Sequence, residues 1–116
     1  MNEFLLIFRM AERKEEEIPP SPQQIQAMMK PWQDWLAALT AQQKLVSSGN
    51  RLAPEGKVIK ANNLVINGPY VEIKEAIGGY IIIRASSLEE AAQLSLQCPI
   101  FHMGGNVEVR PIVPME

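Results

Sequence analysis

The sequence predicts an α+β fold of the ferredoxin-like type, with element order β-α-β-β-α-β and a hairpin inserted in its middle. Three observations carry that expectation. Phe4–Phe8 and Tyr80–Ile83 are apolar without alternation, as strands at the centre of a sheet are. Ser21-Pro22-Gln23-Gln24 and Ser87-Leu88-Glu89-Glu90 each carry a helix-start signature, a serine cap with Gln or Glu three residues later. Strand-like runs and helical spacing alternate along the chain in the order this topology needs.

After the first strand, the mixed charges of Glu12–Glu17 run into Pro19-Pro20, which marks an exposed loop. The first helix opens at Ser21 with Pro22 in its first helical position. Ile25, Met28, Met29, Trp32, Leu36 and Leu39 recur at helical spacing and form one apolar stripe for the core. Pro31 marks a kink or a break into two helical pieces, and Ser47-Ser48-Gly49-Asn50 stops the helix. Lys57–Ala61 and Leu64–Ile66, split by Asn62-Asn63, predict a hairpin, because asparagine tolerates positive φ. Gly68-Pro69 predicts a rigid turn, and Gly78-Gly79 a close backbone approach before the strand Ile77–Ala85. The second helix ends near Cys98-Pro99. Asn106–Pro114 closes the chain as an edge strand, with Val107, Val109 and Ile112 interleaved with Glu108 and Arg110.

A chain of 116 residues is one domain, long enough for a core without metal or disulfide support. Its 47% apolar and 21% charged residues fit a packed core rather than disorder. A net charge of -2 gives no basic footprint, so nucleic acid and acidic membrane surfaces are not expected partners. Phe4–Phe8 is too short for a signal sequence or a membrane span. Cys98 is the only cysteine, which precludes an internal disulfide and fits the reducing cytoplasm. With His102 the only histidine, a Cys/His zinc site is not expected, nor any other cofactor.

Two helices on one face cannot cover both sides of such a sheet, and uncovered Leu and Ile would form a patch that monomers rarely tolerate. A homodimer packed sheet against sheet is the expected solution.

"NGPYVEIKEAIGGYIII" (67–83), "SSLEEAAQLSLQCP" and "NVEVRPI" resemble the DGPF-motif branch of the YCII-related family. The resemblance runs from about residue 64 to 113 and implies a ferredoxin-like fold assembled as a dimeric α+β barrel. It also implies, for related proteins, a His–Asp acid/base pair in the barrel pocket and, in one relative, chloride elimination. Other members accompany sigma factors. Here the motif aspartate is Asn67 and the motif phenylalanine is Tyr70, and the first strand holds no histidine. Asparagine donates and accepts hydrogen bonds but does not shuttle a proton near neutral pH.

The turn alone does not require Tyr70, Glu72 or Glu75. A partly desolvated Glu72 or Glu75 would have a raised pKa suited to a general base, and the alternative is a surface or intersubunit contact. His102 lies in a loop where the resemblance places a histidine, and it titrates in a useful range. Arg110 either pairs with Glu108 on its own strand or holds an anion through its guanidinium. The candidate catalytic set is therefore His102, Glu75 and Glu72, with Asn67, Tyr70 and Arg110 binding a small-molecule ligand. The expected chemistry is that of a lyase or isomerase on a small organic acid. The alternative is a non-enzymatic ligand-binding or regulatory module built on the same dimer.

Overall fold

A computed structural model of the chain describes residues 2–10, 21–68 and 76–115. Strand β1 (Asn2–Arg9) leads to helix α1 (Pro22–Ala41) and strand β2 (Leu45–Arg51). Strands β3 (Gly56–Lys60) and β4 (Leu64–Gly68) follow, then β5 (Ile77–Ala85), helix α2 (Leu88–Ser95), a 3₁₀ turn (Pro99–Met103) and β6 (Asn106–Pro111). Among the described residues, β2, β5, β1 and β6 form one antiparallel sheet in that order, and β3 pairs with β4 in a sheet of its own. This is the ferredoxin-like order, with β1 and β5 central and β6 at an edge.

The local signals explain most boundaries. The Ser21 hydroxyl accepts the Gln24 amide at 3.1 Å while the Gln24 side chain accepts the Ser21 amide at 2.8 Å, a complete capping box. Ser87 caps α2 through the Glu90 amide, but the Glu90 carboxylate turns to the Ser86 amide and hydroxyl and to Lys44. Asn62 and Asn63 both take positive φ, 68° and 63°, and close the hairpin.

The core lies between the sheet and the helices. Phe4, Leu6 and Phe8 of β1 and Ile81, Ile83 and Ala85 of β5 are buried with Trp35, Leu39, Ala91, Cys98 and Ile100. Phe8, Trp32 and Trp35 meet edge to face, with centroids 5.2 to 6.2 Å apart. The Trp35 indole donates to the Leu94 carbonyl at 3.2 Å, tying α1 to the end of α2. Burial pushes the Cys98 thiol up to about 11.

Four expectations are corrected. Ser47-Ser48-Gly49-Asn50 does not stop a helix: α1 ends at Ala41, and these residues belong to edge strand β2. Their turn-like composition serves two irregularities in the pairing of β2 with β5. Gly49 sits at φ 62°, its amide bonds the Ser47 hydroxyl, and a Cβ there would lie 1.7 Å from the Tyr80 carbonyl oxygen. Pro31 neither breaks nor ends α1, which runs through it as one helix. The apolar stripe is buried only in its second half: Leu39 is in the core, Trp32 and Leu36 are half-buried against it, and Ile25, Met28 and Met29 are exposed, while Trp35, outside the stripe, is buried. The closing strand stops at Pro111, three residues short of the expected end.

Gly49→Ala is expected to cost at least about 3 kcal/mol in urea unfolding, since it adds a backbone clash to the strain of positive φ. Gly104→Ala, at φ 77° in open space, carries the strain alone and is expected to cost about 1 kcal/mol. Hydrogen bonds from Lys44 and then Ser86 hold the Glu90 carboxyl below its ordinary value of 4.5. Its stabilising contribution is therefore present above about pH 4.5 and lost as pH falls through the lower folded pKa. Glu90→Gln is expected to flatten the acid limb of a Tm-versus-pH curve.

Candidate functional site

Directly paired residues of an antiparallel sheet point to the same side, so the register maps the face that α1 and α2 leave open. One row across it runs Asn50, Tyr80, Ile7, Glu108. The next runs Ser47, Ile82, Leu5, Arg110. Leu5, Ile7, Tyr80 and Ile82 are half-buried, so the middle of this face is an apolar floor. Polar groups stand on either side of it.

On the β6 side, Glu108 accepts from Arg9 at 3.0 Å and from Arg110 at 3.2 Å. Arg9 and then Arg110 hold the Glu108 carboxyl below the usual carboxylate range, so it is ionised at neutral pH. Among the described residues, Glu108 thus draws two guanidiniums together at this margin. Arg110 is 66% exposed and gives Glu108 one of its five N–H donors, so its fork is placed to take an anion as well. On the β2 side, Asn50 donates to the Tyr80 hydroxyl at 3.2 Å. That bond occupies an acceptor site on the phenol and leaves its O–H to donate elsewhere. Tyr80 and Glu108 are two strand spacings apart, about 10 Å, the span of a small ring with one or two polar substituents.

The glycines set this geometry. Gly49 presses on the Tyr80 carbonyl, and a Cβ on Gly79 would lie 2.9 Å from the Asn50 carbonyl oxygen. Without side chains at both positions, β2 approaches β5 closely enough for Asn50 to reach the phenol.

The residues proposed from sequence do not converge in the single chain. Arg110 is on the open face and pairs with Glu108. His102 is exposed on the 3₁₀ turn, beside a groove lined by Pro31, Asp34, Trp35, Ala38, Gln97 and Pro99. That groove is on the helix side of the sheet, away from Arg110. Asn67 is exposed on β4 and accepts from Lys57 at 2.6 Å. Tyr70, Glu72 and Glu75 lie outside the described residues, although Glu75 is two residues before Ile77, the register partner of Arg9. Arg9, Asn50 and Tyr80 emerge only from the pairing. Their signal was the position of Arg9 in phase with Leu5 and Ile7, and of Tyr80 in phase with Ile82.

Among the described residues no group of three or more His, Cys, Asp or Glu is placed to hold a metal. No helix among them is long and apolar enough to cross a membrane.

The YCII-related domain model matches residues 4–116. The chain is also similar to a solved structure of 5-chloro-2-hydroxyhydroquinone dehydrochlorinase from Burkholderia phenoliruptrix AC1100, in complex with 2,5-dihydroxybenzoquinone. The identity is 18% and the TM-score 0.43, over 95% of this chain and 93% of that one. No curated protein matches the sequence. With the family model spanning nearly its whole length, the chain belongs to the YCII-related family.

Proposed function

We propose that the protein binds a small organic anion over the open face of its sheet, within a homodimer that walls the pocket, and performs proton-transfer chemistry of the lyase or isomerase type on it. The observation that carries this reading is the apolar floor of Leu5, Ile7 and Ile82, with an Arg9–Glu108–Arg110 cluster on one side and the Tyr80–Asn50 pair on the other. Small-molecule sites have this composition, an apolar lining with a few oriented polar groups. Arg110 takes the anion, and the Tyr80 hydroxyl donates to a ligand oxygen. Glu75, with Glu72, supplies the base in this reading. Asn67 and Tyr70 bind from the same stretch. His102 acts in this reading only if the assembly brings it to a ligand.

The dimer is supported by surface area. The chain exposes 8832 Å², against about 6,300 Å² for a compact monomer of its mass. The excess of about 2,500 Å² per chain, about 5,000 Å² for two copies, is at the upper end of what obligate homodimers bury in total. Sheet-to-sheet packing of two copies would form the α+β barrel.

A second reading, a binding or regulatory module without turnover, is favoured by the state of Glu108. Its carboxyl is held ionised by two arginines and orients them rather than moving a proton.

Light scattering at micromolar concentration is expected to give twice the 13.0 kDa chain mass, and Ile82→Arg, which puts a charge on the floor, is expected to give the single mass. A thermal-shift screen of small aromatic and aliphatic carboxylates is expected to return hits that raise Tm. The same hits should lose their effect in Arg110→Ala, with at least a tenfold weaker Kd, as loss of a charge-assisted pair of hydrogen bonds implies. Solvent deuterium entering a hit at carbon, followed by NMR and lost in Glu75→Gln and Tyr80→Phe, identifies the enzyme. Binding that depends on Arg110 with no exchange identifies the module, and binding indifferent to Arg110 removes the site.

A further inference from the structure

The hairpin β3–β4 does not resemble a flap lying on its own domain. Its register puts Val58, Ile66 and Leu64 on one side and Ile59 and Val65 on the other. Both sides therefore carry apolar residues, with Lys60 on the first and Lys57 and Asn67 on the second, whereas a ribbon with one packed face keeps its apolar residues on that face. Ile59 is 74% exposed, Val65 54% and Leu64 51%, so neither side is covered within the chain. Two strands of five residues are marginal alone in water. The chain's radius of gyration is 16.0 Å, where a compact chain of this length has about 13 Å.

Its root is fixed. The Leu52 amide donates to the Gly78 carbonyl at 2.9 Å, closing the base where β2 ends and β5 begins. That base is at the end of the sheet where Ile77 pairs with Arg9 and Asn50 with Tyr80, so the hairpin leaves the domain at that end.

We propose that β3–β4 is an arm exchanged between two copies of this chain, each arm packing Ile59 and Val65 against the other copy. This rests on the dimer reading above and deepens it. The occupant is a second copy because the surface excess of about 2,500 Å² per chain suits a homodimer. Lys57 and Lys60 fit the same picture, as charges that keep an apolar ribbon from stacking edge to edge with the wrong partner.

The test is hydrogen exchange of the full chain, read by mass spectrometry at concentrations above and below its dimer Kd, with sedimentation measured in parallel. Amides of residues 56–68 are expected to be protected in the dimer and to lose at least tenfold of that protection in the dilute monomer, while β1 and β5 keep theirs. Ile59→Glu combined with Val65→Glu is expected to raise the dimer Kd at least tenfold with unchanged far-UV circular dichroism. A wild-type dimer whose arm exchanges at the same rate at both concentrations, and whose Kd is unmoved by the double variant, overturns the exchange and leaves the dimer standing. A wild-type chain that sediments as a monomer overturns both.

Discussion

Helices α1 and α2 shield one side of the four-stranded sheet, and the opposite side of its two central strands is built from Leu5, Ile7, Tyr80 and Ile82. This asymmetry of cover governs the rest of the molecule. The covered side is a closed core in which aromatic rings interlock and the Trp35 indole finds a carbonyl acceptor. Every buried side-chain polar atom among the described residues is paired. The uncovered side has unmet apolar area in its middle and ionised groups along one margin. The thickness of one sheet separates the packed core from this open face.

The charged margin follows from strand order. With β6 at the edge, its alternate residues Glu108 and Arg110 project on the open side, and pairing with β1 brings Arg9 to the same carboxylate. The carboxylate keeps two cations together that would otherwise repel. The opposite margin is arranged by backbone rather than charge, because Gly49 and Gly79 let an irregular edge strand crowd against Tyr80. The two margins differ in kind, one electrostatic and one made of neutral hydrogen bonds.

Much of this architecture is written in local sequence. The caps at Ser21 and Ser87, the paired asparagines and the unalternated runs in β1 and β5 act over a few residues, and each yields its element directly. Strand β2 was not legible, because Ser47-Ser48-Gly49-Asn50 becomes a strand only through contact with Tyr80, some thirty positions away. Helical spacing showed which residues of α1 share a face. It carried no information on where the underlying sheet ends, which is why Ile25, Met28 and Met29 are exposed. For the candidate site, the pairing of Glu108 with Arg110 was readable from alternation. Arg9, Tyr80 and Asn50 required the register between distant strands.

The buried sulfur of Cys98 has a practical consequence. Its thiol is held protonated far above neutral pH at the base of the helix layer, so it resists alkylation while that layer is closed. As the molecule's sole thiol, it reports when the helices part from the sheet. Its labelling rate times the loosening of that wall without any engineered probe.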